Sequence, residues 1–302
     1  MKNIMKINDE KTFVRIIDIC GPVDATCFEK NVSSMRNAGI VVDYELCDFS
    51  SAARLTSKGI RSRLRQLNYG ISANKYHYLL IARGGYGSSD LLDLIEWSEL
   101  EKLKPRPLIG FSDASALQSA FYTRLGWPSL HASMPGSHLW GCESDSDLVI
   151  DFLGKRSKWS GKIDIESLNK PDNHNLSGKL FGGCLSVLSN LIGTPYFPRD
   201  LHGHIIFLED TGETSRRLLR YFRQWMQSGY IQQAEAVILG RFSNIESESE
   251  DEKWFQKELA SRLPCPLFKS GDFGHVQPNI PICTGAIATI REKALHWTLE
   301  DL

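Results

Sequence analysis

YHYLLIARGGYGSSD, residues 76–90, runs an apolar segment into a cluster of glycines and then into a serine-led start. Tyr78-Leu79-Leu80-Ile81 has the unbroken apolar character of a strand covered on both faces rather than on one. Beyond Gly84, Gly85 and Gly87, Ser88 or Ser89 is predicted to cap a helix over SSDLLDLIEWSEL, with Asp90 in its first turn. A glycine-rich turn between strand and helix lets the backbone approach a ligand or hold an anion. That anion could be a phosphate, part of a dinucleotide, or a charge that exists only during a reaction.

The same strand–turn–helix unit recurs on either side. FVRIIDIC (13–20) is an apolar strand broken by Gly21-Pro22, followed by a helix through Phe28 to Ala38 and the strand IVVDYEL (40–46). Residues 57–69 place Ile60, Leu64 and Leu67 at helical spacing. PLIGF (107–111), the helix ASALQSAFYTRLG (114–126) and WPSLHAS (127–133) complete the series. Such alternation predicts an α/β fold, a parallel sheet sandwiched between helices. Sites in these sheets lie at the carboxyl ends of strands, so Gly84–Gly87 and Gly110–Asp113 are expected to face one crevice.

The texture changes near residue 150. ESDSDL (143–148), a short strand SGKIDI (160–165) and the polar LNKPDNHNLSG (168–178) read as a linker zone. GKLFGGCLSVLSNLIGTPYF, HIIFLED, the helix RRLLRYFRQWMQSG, AVILGRF, a helix through KWFQKELASRL, and GAIATIREKALHWTL follow. Strands dominate and their order is less regular. The division predicted is an αβα domain over 1–145, a linker over 146–175 and a β-rich, mixed α/β domain over 176–302.

Composition narrows the function. Lys and Arg number 35 against 36 Asp and Glu, a net charge of −1 in 302 residues, which creates no field for nucleic acid or an anionic membrane. MKNIMKINDEKT lacks the apolar stretch of a leader, and no run is long enough to span a bilayer. The seven cysteines, at 20, 27, 47, 142, 184, 265 and 283, form no C-x-x-C pair, so neither a disulfide framework nor a zinc site is indicated. A cytoplasmic protein with reduced thiols is expected.

LIGFSDASAL (108–117) bears the clearest chemistry. Gly110-Phe111-Ser112-Asp113-Ala114 approximates the G-x-S-x-G nucleophile elbow, with Ala in place of the second glycine. Ser112 is either a nucleophile at that turn or the N-cap of the following helix. A nucleophile needs a base oriented by a carboxylate. His275, in SGDFGHVQP, is the first candidate among eight histidines and His131 the second; His202 and His204 flank Gly203. HIIFLEDTGE ends a strand in Glu209-Asp210; if Asp210 or Thr211 caps the next helix, Glu209 is left for the site. The order Ser, Glu, His is that of α/β-hydrolases. A dinucleotide reading of GGYG fails because Asp90 stands where the third glycine belongs, and no P-loop is present. Beside a serine elbow, the loop can instead supply an oxyanion-hole amide, with Asp113 supplying another.

RGGYGSSDLL, IGFSDASAL, GKLFGGCLSVLSNLIGTPY, IIFLEDTGE, AVILGRF and LFKSGDFGH together resemble the serine LD-carboxypeptidases of peptidoglycan recycling, whose wider family includes the microcin C immunity peptidases. The resemblance implies Ser112 as nucleophile, Glu209 as orienting carboxylate and His275 as general base, with an oxyanion hole at Gly84, Gly85 and Asp113. It implies an amino-terminal sandwich like that of class I glutamine amidotransferases, a β-rich second domain and a homodimer. The implied activity is release of the terminal D-alanine from murein tetrapeptide, without metal or cofactor. Arg83 and Arg241 are candidates for the substrate carboxylate, and Tyr86 for a wall of the pocket. Cys184 stands where the family usually has Asn, Ser133-Met134-Pro135 replaces H-G-P or S-G-P, and Cys20-Gly21-Pro22 replaces P-S. Rival readings are an immunity-type peptidase acting on peptidyl or aminoacyl nucleotides, and a non-catalytic small-ligand module using GGYG as an anion nest. An esterase of the α/β-hydrolase type is disfavoured by the incomplete elbow and the absence of an H-G-G-G-like segment.

Overall fold

The computed structural model describes residues 11–47, 50–141, 143–155, 157–169, 175–244 and 251–300. Most of the segment read for a leader, Cys142 and the middle of the polar run 168–178 lie outside them. Five strands, β1 (Phe13–Ile17), β2 (Val41–Glu45), β3 (Tyr78–Ile81), β4 (Leu108–Gly110) and β5 (Ser129–His131), pair in parallel in the order β2-β1-β3-β4-β5. This is the doubly wound arrangement predicted from the alternating pattern, and its strand order reverses between β1 and β3, where such sheets bind ligands. Side-chain alternation puts Leu79 and Ile81 into one apolar core and Tyr78 and Leu80 into the other. Both faces are covered, which is why the strand needed no polar positions.

The remaining strands are β6 (Lys158–Asp164), β7 (Glu166–Ser167), β8 (Leu176–Cys184), β9 (His204–Thr211), β10 (Ala236–Ser243), β11 (Leu267–Gly274), β12 (Ile282–Thr284), β13 (Ile287–Arg291) and β14 (Ala294–Glu300). Eight form a mixed sheet in the order β6-β14-β13-β8-β9-β10-β11-β7. Because β6 and β7 are separated by one residue, a nearly continuous segment pairs with β14 at one end and β11 at the other. The sheet is therefore barrel-like, and its outer edges are closed on themselves. The exception is β12, which leaves this sheet and pairs antiparallel with β5 in the first.

Two sequence expectations change in detail. The helix expected over residues 88–100 is instead a 3₁₀ turn, Ser89–Leu94, and a short helix, Trp97–Leu100, separated by the extended Ile95. Ser88 caps neither, because its amide and hydroxyl are both drawn to Asp113. The helix Ser215–Gln227 is capped by Thr214, whose side chain accepts from the Arg217 amide, not by Asp210 or Thr211. Asp210 is occupied elsewhere, by the amides of Ser186 and Thr211. Among the described residues no two cysteines are joined by a disulfide, and no helix is long and apolar enough to cross a membrane.

Candidate active site

Ser112 begins one residue after the expected extended backbone at Phe111 and has φ of 63°, the left-handed region that costs a non-glycine residue about 1–3 kcal/mol. Such strain persists only where neighbours enforce it. Here Asp113 is buried; its carboxylate accepts the Ser88 amide at 2.9 Å and its carbonyl accepts the Ser88 hydroxyl at 2.5 Å. On the other side, Gln118 Nε2 donates to the carbonyls of Gly110 and Leu130, at 2.9 and 3.1 Å. Neither the 3₁₀ turn Ser112–Ala114 nor the helix Ser115–Leu125 has a side-chain N-cap, so the capping alternative for Ser112 is not realised.

The glycine loop packs directly on this turn. A Cβ at Gly84 would lie 3.0 Å from Ser112 Cβ and 3.1 Å from its Oγ, so only glycine permits this approach without displacement. The Gly84 carbonyl accepts the Gly21 amide at 2.9 Å, and Gly85, with φ of 124°, lies so close to Gly21 that a Cβ would come within 2.8 Å of its Cα. In a trans peptide the N–H opposes the C=O, so this bond turns the Gly85 amide away from Gly21. Gly87, with φ of 131°, makes room for the Arg63 guanidinium, which donates to its carbonyl.

Glu209 is fully buried on β9, beside Cys184 of β8 in register. On its other side Gly240 and Arg241 of β10 together oppose it, a bulge between the pairs Leu239–Leu208 and Phe242–Asp210. Bulges of this kind bend a strand and re-aim side chains near sites. His275, just past β11, donates from Nδ1 to Glu209 Oε2 at 2.6 Å, and Phe111 packs on its ring at 4.9 Å between centroids. Because an ionised carboxylate only accepts, Nδ1 carries the proton and Nε2 holds a free lone pair. Nε2 is buried without a hydrogen-bond partner among the described residues. His275 and Ser112 line the same hollow of 540 Å³, with Gly84, Gly85, Arg83 and Met134. No hydrogen bond joins Nε2 to Ser112 among the described residues.

Electrostatics match the geometry. Burial pushes Glu209 upward, but the His275 charge and hydrogen bonds from His131 and His275 prevail and hold it at about 2. Burial pulls His275 down, and the neighbouring Glu209 charge outweighs it, leaving the ring above the ordinary 6.5.

The other sequence candidates are dispersed. Arg83 lines the hollow and donates to the Pro22 carbonyl at 2.7 Å. Tyr86 is 58% exposed and donates to Asp90, outside the lining of the hollow. The Arg241 guanidinium donates to the carbonyls of Val276, Gln277 and Pro278, bracing the loop that carries His275. Cys184 is buried beneath the site; its thiol donates to Asp210 at 3.4 Å, and burial with the nearby acidic charges pushes it well up, away from nucleophilic character. His204 binds Tyr122 at 2.7 Å beside a larger hollow of 790 Å³ that contains none of Ser112, Glu209 or His275. Among the described residues no group of three or more His, Cys, Asp or Glu side chains is arranged to hold a metal ion. Sequence reading missed the second partner of Glu209: His131 Nε2 lies 3.3 Å from Oε1. Its place at the end of the strand next to the serine strand was the available signal.

The LD-carboxypeptidase N-terminal domain profile matches residues 14–132 and the LD-carboxypeptidase C-terminal domain profile matches residues 177–290. The chain is 31% identical to the murein tetrapeptide carboxypeptidase of Pseudomonas aeruginosa over 269 residues, covering 85% of this chain and 86% of that protein. In fold it is similar to muramoyltetrapeptide carboxypeptidase from Oxalobacter formigenes, with a TM-score of 0.83, 23% identity and coverage of 96% and 99% of the two chains. An MccF-like protein from Bacillus anthracis gives 0.80 at 21% identity, covering 98% of each chain.

Proposed function

The chain belongs to the LD-carboxypeptidase family, and from that premise we propose that it is a serine peptidase releasing the terminal D-alanine of murein tetrapeptide. The observation that carries this reading is the strained Ser112 sharing a hollow with His275, whose far nitrogen is bonded to the buried Glu209. The murein substrate is supported by the P. aeruginosa relative.

In the proposed reaction, His275 Nε2 takes the hydroxyl proton as Ser112 Oγ attacks the carbonyl carbon of the third peptide residue, meso-diaminopimelate or L-lysine. Glu209 stabilises the imidazolium that forms. The oxyanion accepts hydrogen bonds from amides at Asp113 and in the Gly84–Gly85 loop. As the C–N bond breaks, His275 returns the proton to the leaving amine and D-alanine departs. Water, deprotonated by the same nitrogen, then cleaves the acyl-serine ester. Arg83 is the candidate partner for the substrate carboxylate. The segment through residue 145 supplies Ser112 and that from residue 176 supplies Glu209 and His275, joined through 146–175; the enzyme acts as a cytoplasmic homodimer.

The test is D-alanine release from purified murein tetrapeptide by the wild type and by Ser112→Ala. Loss of roughly 10⁴-fold or more in the folded variant is expected; undiminished release would sink the assignment. Faster turnover of a peptidyl or aminoacyl nucleotide than of tetrapeptide would place the site in the immunity branch instead.

A further inference from the structure

Glu209 has two carboxylate oxygens, and only one faces His275. The other, Oε1, lies 3.3 Å from Nε2 of His131, with both side chains essentially inaccessible to solvent. His131 ends β5 and is paired with Gly110 of β4, one strand from the serine turn. Its ring is enclosed edge-on by Phe111, Phe207 and Phe273, at centroid distances of 5.7, 5.8 and 6.2 Å. Its Nδ1 is buried with no hydrogen-bond partner among the described residues. Among the described residues the ring's polar tie is thus to Glu209 alone, and an ionised carboxylate requires that Nε2 carry the donated proton.

A carboxylate held by one hydrogen bond can rotate about its last torsions, which are broad and roughly two-fold. Held at both oxygens by two different rings, it cannot turn without leaving a buried oxygen unsatisfied, a penalty of about 1–3 kcal/mol. We infer that His131 is a positioning residue for the catalytic set: its Nε2–H fixes the Glu209 carboxylate so that Oε2 remains directed at His275 Nδ1. The three aromatic rings hold the imidazole in place, and β5 transmits the register of the serine strand to the carboxylate. The inference rests on the reading of Ser112, Glu209 and His275 as nucleophile, orienting acid and base. It adds a fourth side chain, one that touches neither substrate nor reacting atoms.

His131→Gln and His131→Met test it, since the two residues are nearly isosteric and glutamine's amide nitrogen alone restores a donor near Nε2. The first readout is the rate of covalent Ser112 labelling by a fluorophosphonate, which does not depend on which peptide is the substrate. Wild type should label, Ser112→Ala should not, His131→Met should label roughly 10- to 100-fold more slowly, and His131→Gln should recover most of the rate. The second is tetrapeptide hydrolysis, where His131→Met should lower kcat with KM little changed. Thermal melting confirms that both variants are folded. Equal labelling by folded His131→Met and wild type would overturn the positioning role while leaving the serine reading intact, as would equal slowing by Met and Gln. Failure of wild type to label, or labelling of Ser112→Ala at the wild-type rate, would instead bring down the underlying assignment and the inference with it.

Discussion

At Ser112, a left-handed backbone, a buried neighbour and a glycine with no side chain converge on one hydroxyl. The local motif left nucleophile and N-cap open; no side-chain cap bond is made at the helix that follows. Replacing Glu209 by Gln removes the charge that stabilises the imidazolium and should lower kcat by roughly 10³- to 10⁴-fold, as comparable neutralisations do in other serine enzymes. The pH profile supplies a second check. His275 is raised above 6.5, and a base must be unprotonated to act, so kcat/KM should climb with pH along an acidic limb centred above 6.5. In Glu209→Gln the largest raising cause is gone while burial remains, so the limb should move to lower pH. A limb that stays in place would show that another group governs it.

The loop of element scale is GGYG, and each glycine answers a different neighbour: Gly84 the serine, Gly85 the Gly21 backbone, Gly87 the Arg63 guanidinium. Beneath it, two buried arginines hold the end of the first strand, and one of them, Arg63, ties it to the loop. Arg63 donates to the carbonyls of Ile19 and Gly87, and Arg54 pairs with Asp18 at 2.7 Å with both side chains 2% exposed. Asp18→Asn would leave the Arg54 charge buried and poorly compensated, and should destabilise the fold by about 3–5 kcal/mol in urea unfolding. The exposed Arg65–Glu45 pair, at 68% and 51%, provides the contrast: Arg65→Ala should change stability by about 1 kcal/mol or less. Gly87→Ala must displace Arg63 and adopt an unfavourable φ, so it should reduce kcat/KM for D-alanine release more than it lowers the melting temperature. Equal activity in a folded Gly87→Ala would separate loop geometry from catalysis.

Across the whole molecule, the two sheets cannot be treated as separate bodies. β12 crosses from the second to pair with β5, and the Asn279 amide donates to Asp145 while its side chain reaches Ser133. Both apolar cores draw on both sheets: Ile17 and Leu79 share one with Phe181 and Leu208, Val14 and Leu80 the other with Phe207 and Trp297. A fragment ending at residue 145 would expose these faces and an unpaired β5 edge, so it should aggregate on size-exclusion chromatography instead of running as a folded monomer. Acid sensitivity also belongs at this scale. Glu209 lies at about 2 when folded against its ordinary 4.5, so its contribution is present above 4.5 and is lost as pH falls toward 2. The urea midpoint of wild type should fall over that window, with the Glu209 component absent from Glu209→Gln.

The sequence by itself determined the strand–helix alternation, the glycine loop, the serine turn, and the short set of acids and histidines from which a site could be built. Those features depend on side-chain periodicity and on residues a few positions apart, which a linear pattern records. It misjudged the caps at Ser88 and Asp210 and missed the tie between His131 and Glu209, because each depends on a partner far along the chain. Asp210 is withdrawn from capping by Ser186, 24 positions away, and His131 meets Glu209 across 78. Only the tertiary structure decided these pairings: the register of β8, β9 and β10, and the bulge opposite Glu209, set which carboxylate oxygen meets which imidazole. Hydrogen bonds have a reach of about 3 Å. Whether two groups meet within it is fixed by the packing of whole sheets, and no local preference encodes that distance.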